Sequence, residues 1–385
     1  LARVTGAPEG VKGISLFVVP KFMVNKDGSL GARNDVHCVS IEHKMGIKAS
    51  PTAVLQFGDN GGGVGFLVGQ ENRGLEYMFI MMNAARYAVG VQGIAIAERS
   101  YQRAVQYARD RVQSRPVDGS LPAAGPIIHH PDVRRMLMTM RAYTEGCRAM
   151  AATAAAAYDA SHHHPDAEVR KQNAAFYEFM VPLVKGYSTE MSLEVTSLGV
   201  QVHGGMGFIE ETGAAQYYRD AKILTIYEGT TAIQANDLVG RKTARDGGQT
   251  AKALAAQVAQ TESELAASGN ADAQAVARRL KAAREAFVDV VEFVAGNTKA
   301  HPNDVFAGSV PYLMLAGNLM AGWQMGRALL VAITPEAQAQ DAAFMAAKVT
   351  TARFYADHIL SKAPGIRDSI VEGAGSVTAM ALDAF

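Results

Sequence analysis

The sequence predicts an α+β chain that is mainly α, and three observations carry this. Residues 1–72 read as short strands broken by turn signals, a partial β domain. Residues 73–246 place apolar side chains at three- and four-residue steps, the period of buried helices. After Asp246-Gly247-Gly248 the composition shifts to Ala, Gln, Glu and Arg, and 247–385 reads as an additional helical bundle. A length of 385 residues, 49% hydrophobic and 19% charged, is enough for two or three domains with ample core.

The elements follow in order. Residues 14–20 form a strand closed by Pro20, and Asn25-Lys26-Asp27-Gly28 is a turn signal. Further strands are expected at 36–42 and 53–57, with 44–51 as the loop between them. Residues 59–65 hold four glycines, but a phosphate cradle needs a helix start after it, and here Phe66-Leu67-Val68 follows. A β-turn is the expectation. Tyr87, Val91, Ile94, Tyr101, Val105 and Ala108 then mark a long helix over 75–113. A loop with three prolines spans 114–126. Pro131 opens a second helix to about 161, alanine-rich over 150–158. His162, His163 and His164 fall in a predicted loop; adjacent side chains do not converge on one ion, so no metal site is expected. A third helix covers 167–198, kinked at Pro182, and another covers 231–245. Four more helices are expected at 250–268, 272–295, 310–334 and 336–361. Within these, Met314, Met320, Met325 and Met345 read as core filling. Asn318, Trp323, Gln324 and His358 form no catalytic set.

Charge and cysteine content narrow the function. Lys plus Arg and Asp plus Glu both total 37, without the basic surplus expected of a nucleic-acid binder. The two cysteines, Cys38 and Cys147, form no disulfide framework, so a cytoplasmic location is expected. No apolar run is expected to reach the length of a membrane span. Leu1 leads almost at once into a strand, so the sequence is expected to begin inside a domain of a longer protein.

The chemistry concentrates in Arg219-Asp220-Ala221-Lys222-Ile223-Leu224-Thr225-Ile226-Tyr227-Glu228-Gly229-Thr230-Thr231. One carboxylate, Glu228, follows a β-branched and aromatic run. Ile226 and Tyr227 predict an apolar setting, and burial raises a carboxyl pKa because it disfavours the charged form. Such a carboxylate is suited to removing a carbon-bound proton. Gly229 permits a turn and a close approach to ligand, and Thr230 or Thr231 can cap the next helix. About twenty residues earlier, Gln201-Val202-His203-Gly204-Gly205-Met206-Gly207 offers bare backbone to a ligand.

These two linked motifs, with Asn83-Ala84-Ala85-Arg86 at one end of the long helix and Tyr107-Ala108-Arg109-Asp110-Arg111-Val112-Gln113 at the other, resemble the acyl-CoA dehydrogenase family. The resemblance runs to about residue 245. The tail beyond it is similar to that of long bacterial members with an extra helical domain, 3-methylmercaptopropionyl-CoA dehydrogenase-like members among them. It implies a partial middle β domain (1–72), a C-terminal acyl-CoA dehydrogenase helical bundle (73–246) and an extra bundle (247–385). It also implies FAD as cofactor, an acyl-CoA substrate and an electron-transfer flavoprotein as acceptor. Glu228 would be the α-proton base, with hydride passing to flavin N5. Arg111, Gln113, Gln201, Gly204, Gly205 and Thr230 would touch FAD, and Asn83, Arg86 and Gly229 the acyl-CoA. A homodimer is expected. Departures stand at Ser114-Arg115-Pro116 and His129-His130-Pro131, where the family often has Phe-Gly and then His-Gln. An acyl-CoA oxidase on the same fold, or a non-catalytic fragment, are the alternatives.

Overall fold

The computed structural model describes residues 1–385, and all its strands precede its long helices. The strands are β1 (Ala2–Arg3), β2 (Ile14–Val18), β3 (Phe22–Val24), β4 (Leu30–Arg33), β5 (Val36–Ile41), β6 (Ala53–Phe57) and β7 (Phe66–Val68). They pair antiparallel as β1-β2-β7, β3-β4 and β5-β6, with Phe17 opposite Leu67 and Val36 opposite Phe57. The expected turn at 25–28 joins β3 to β4, two strands too short to announce themselves by alternation. Buried Asn34 ties these pieces together. Its amide nitrogen donates to the carbonyls of Pro20 (2.8 Å) and Val64 (2.9 Å), and its Oδ1 accepts from the Val64 and Asp35 amides. Ile41, Leu55 and Phe57 remain exposed, so these strands bury little of their apolar surface.

The chain divides into two units, Leu1–Ala85 and Arg86–Phe385. The helices are α1 (Gly74–Asp110), α2 (Pro131–His163), α3 (Ala167–Pro182), α4 (Ser188–His203), α5 (Ala214–Lys222), α6 (Thr231–Asp237), α7 (Gln249–Ala267) and α8 (Ala271–Asn297). They continue as α9 (Pro302–Ala307), α10 (Ser309–Ala332), α11 (Pro335–Gln340), α12 (Ala342–His358), α13 (Ala363–Val371) and α14 (Ala374–Val377). α1 is long and apolar enough, by length and composition alone, to cross a membrane, contrary to the expectation of no such run. Its Val89, Ile94, Ala97, Ala104 and Ala108 are buried, whereas Phe79, Ile80 and Met81 of the same helix are exposed. α2 reaches further than expected, so His162 and His163 sit in its last turn.

The predicted kink at Pro182 is a change of helix type. The chain runs from α3 through a π-helical turn, Leu183–Tyr187, directly into α4. Single π turns inside α-helices insert a residue and re-aim the side chains around them. This one is packed on both sides. A side chain at Gly90 of α1 would begin 2.3 Å from the Val184 carbonyl oxygen, and one at Gly317 of α10 would begin 2.2 Å from the Tyr187 ring. Tyr187 donates to Asn318 Oδ1 (2.8 Å) and shares a hydrogen bond with Tyr355 on α12 (3.0 Å). The helices after residue 246 therefore share one core with those before it. Met180, Leu183 and Tyr187 pack in the same cluster as Leu254, Val258, Leu313 and Tyr355.

Gly317→Ala is expected to destabilise this core by about 1–3 kcal/mol, because a ring atom rather than a flexible chain end must move. A lower midpoint in urea unfolding checks it.

Candidate active site

α5 ends in a 3-10 turn, Ile223–Thr225, and the backbone then reverses before α6. The amides of Ile226 and Tyr227 both donate to the Ile223 carbonyl (2.9 and 3.0 Å). Glu228 then takes a positive φ of 55° and Gly229 one of 91°. Thr230 caps α6, its Oγ1 accepting from the Ile233 amide at 3.3 Å, as the sequence suggested. The left-handed region costs a non-glycine residue about 1–2 kcal/mol. At Gly229 the positive φ favours glycine, and a side chain there would also begin 2.6 Å from Gln234 Nε2, which would have to move. The turn sends Glu228 outward. Its side chain is exposed, Ile226 is 48% exposed, and the expected apolar burial of the carboxylate is not supplied by its neighbours in the loop. Two successive left-handed residues carry residue 228 away from the core, whatever the hydrophobicity of the run before it.

Beneath the loop lies a residue that sequence reading passed over. Lys185, in the π turn, is fully buried. Its amine donates to the carbonyls of Leu224 (2.8 Å) and Gly229 (2.6 Å), one on each side of Glu228. Burial pushes the amine down to about 8; Arg86 pushes the same way, while Glu190 and Glu228 oppose it. The one available signal was a single lysine inside the apolar run Val181-Pro182-Leu183-Val184-Lys185-Gly186-Tyr187. Further contacts fix the loop. Tyr227 donates to Gln92 Oε1 on α1, Thr231 donates to Glu190 Oε1, and Gln234 Nε2 donates to the Gly229 carbonyl at 3.3 Å.

Arg86, expected along the acyl-CoA path, is only 7% exposed. Its NH1 lies 3.7 Å from Asp237 Oδ2, and its Nε has no partner. Asn83 is exposed on α1. Arg111 and Gln113 lie just beyond the end of α1 rather than on a helix face, because Val112 bridges to Pro126 in an extended segment. Both are exposed, as are Gln201, Gly204, Gly205 and Thr230. No atom lies within 4 Å of where a side chain at Gly204 or Gly205 would begin, and Gly204 has a φ of 58°. Next to them, His203 is buried and stacks on Tyr107 of α1 at 4.3 Å. Its Nδ1 lies 2.7 Å from the Gly199 carbonyl and so carries the proton; Nε2 is then an acceptor, and it has no partner. Arg103, Gln106, Tyr107, Asp110, His203 and Thr212 line a cavity of ≈ 340 Å³.

The structure thus groups the candidates into two places. Glu228, Gly229, Thr230, Lys185 and Arg86 gather around the loop between α5 and α6. Arg111 and Gln113 follow the far end of α1, where Tyr107 meets His203 and the 201–207 motif. From Gln92, which holds Tyr227, to the end of α1 is roughly 27 Å at 1.5 Å per residue.

The family described as "Acyl-CoA dehydrogenase, C-terminal domain" matches residues 72–243, and "Acetyl-CoA dehydrogenase C-terminal like" matches 251–381. The chain is 55% identical over 382 residues to 3-methylmercaptopropionyl-CoA dehydrogenase of Ruegeria pomeroyi, covering 99% of this chain and 64% of that protein. It is 38% identical over 392 residues to the broad-specificity linear acyl-CoA dehydrogenase FadE5 of Mycobacterium tuberculosis, covering 96% and 63%. It therefore spans a little under two thirds of the length of these relatives. In fold it is similar to Caenorhabditis elegans ACDH-11 in complex with C11-CoA (TM-score 0.73, 20% identity, 92% of this chain and 54% of that one). It is also similar to an acyl-CoA dehydrogenase complexed with FAD from Bacillus anthracis (TM-score 0.69, 22% identity, 93% and 60%).

Two outcomes are expected from the loop. Glu228→Gly should stabilise the chain by about 1 kcal/mol, because glycine adopts a positive φ without the steric penalty; denaturant midpoints measure it. The second concerns Lys185, whose folded pKa lies below its ordinary 10.5. Between about pH 8 and 10.5 the unfolded chain binds a proton that the native chain does not, so native stability rises with pH across that window. Unfolding midpoints of wild type should climb relative to Lys185→Met there, and parallel curves would contradict it.

Proposed function

The chain belongs to the acyl-CoA dehydrogenase family, carrying both of its C-terminal domains, and we propose that it serves the FAD-dependent α,β-dehydrogenation of an acyl-CoA thioester to the trans-2-enoyl-CoA. The observation that carries this reading is Glu228: an exposed carboxylate, in a backbone conformation that disfavours any side chain, on a loop fixed from below. Strained residues of this kind persist where the surrounding structure holds them and cluster at functional sites.

Glu228 takes the proton from the carbon next to the thioester carbonyl, forming an O–H bond as the C–H bond breaks. Its exposure suits this role, since a bound thioester that covers the carboxylate desolvates it and strengthens it as a base. The residues present fit FAD. Arg111 offers a forked cation for phosphate, Gln113 and Gln201 offer amides, and Gly204 and Gly205 offer open backbone. His203 adds a buried acceptor without a partner beside that backbone. When bound, FAD supplies the hydride acceptor that no side chain can provide. Thr230 would lie near it from the base loop, and Gly229 would meet the acyl-CoA.

The separation of roughly 27 Å along α1 supports a homodimer, in which a second copy brings its own 201–205 segment to this chain's cofactor. The acceptor proposed for the electrons is an electron-transfer flavoprotein. Cys38 and Cys147 are free thiols, which suits the cytoplasm. The relative named for 3-methylmercaptopropionyl-CoA makes that thioester the first substrate to try.

In the flavin-loaded protein, Glu228→Gln is expected to keep the flavin absorbance and to slow its bleaching by substrate about 100- to 10,000-fold. Bleaching at the wild-type rate would remove Glu228 from the mechanism.

A further inference from the structure

Lys185 is a cationic side chain with no carboxylate paired to it and no exposure to water. Burying an amine is costly unless its hydrogen bonds are made. Both of its partners are backbone carbonyls, and both belong to the loop that carries Glu228. The carbonyl of Leu224 comes before the two left-handed residues, and that of Gly229 ends them. The loop is thus drawn closed around one nitrogen atom. The π turn aims that nitrogen: its extra residue places Lys185 toward the loop while Tyr187 turns toward Asn318 and Tyr355. Gly90 and Gly317 leave the turn no room to slide. The charged groups facing the amine are Arg86 of α1, Glu190 of α4 and Glu228 itself.

We propose that Lys185 is a positioning residue, which holds Glu228 in its left-handed conformation by tying together the carbonyls of Leu224 and Gly229. It touches no reacting atom; it fixes where the base stands. The importance of that position for catalysis rests on the function proposed above, whereas the clamp itself does not. Removing the clamp frees the loop to relax out of its strained conformation, and the base is then correctly placed for only part of the time.

Hydrogen–deuterium exchange of the 385-residue chain, without flavin or substrate, tests this directly. In Lys185→Met, the amides of Ile226, Tyr227, Ile233 and Gln234 are expected to exchange at least about tenfold faster than in wild type, while those of α2 and α8 keep their protection. Unchanged exchange at the four amides in a folded variant would overturn the proposal. So would a uniform loss of protection along the chain, which marks a lysine needed only for the fold. If Lys185→Met does not fold, Lys185→Gln, which keeps a polar donor on a side chain one bond shorter, is judged by the same criterion; failure of both to fold also overturns it. The two readings fail separately. A Glu228→Gln protein that still bleaches flavin ends the proposed function, yet leaves the exchange result to decide the clamp.

Discussion

The structure around the base loop depends on a buried amine finding its hydrogen bonds. An ammonium or amine taken out of water must be satisfied inside the protein. At Lys185 the available acceptors are two carbonyls of the segment between α5 and α6. That requirement couples parts of the chain distant in sequence. The π turn must be present to aim the side chain, and α1 and α10 must carry glycines to approach the turn. Helices after residue 246 take part as well, since Asn318 and Tyr355 hold Tyr187 on the other side of the same turn. The C-terminal helices are thus part of the support for the loop.

The cost of this arrangement lies at Glu228. A glycine would suit its backbone better, and the residue there spends conformational energy on directing a carboxylate outward. The exposure that results divides the task of setting the carboxylate's surroundings. The protein fixes position and direction. The dielectric around the carboxylate is left to whatever binds over it. The same division appears at the far end of α1. There Gly204 and Gly205 present open backbone and His203 keeps a buried acceptor free, features that lower stability unless a ligand uses them.

Much of this was legible in the residues, and the limits have physical causes. The long helix, the alanine-rich second helix, the cap at Thr230 and the glycines of the 201–207 motif were readable because period, capping and backbone freedom are local properties. The pairing of β3 with β4 was not, since strands of three and four residues carry no reliable alternation. The apolar run before Glu228 suggested burial, and the turn overruled it. Hydrophobic neighbours in sequence do not surround a side chain whose backbone turns away. Arg86 read as a solvated or ligand-facing cation and lies buried against Asp237, a partner far along the chain.

Sequence was sufficient for the class of fold and the family resemblance, and it singled out Glu228 as the candidate carboxylate, because these rest on motifs whose members lie within a few turns of one another. It could not reveal Lys185 as the support of that carboxylate. The contact joins residues about forty positions apart, and it exists only because a π turn, two close helix approaches and a reversed loop meet at one point. Folding in three dimensions turned an isolated lysine in an apolar run into the hydrogen-bond donor on which the base loop rests.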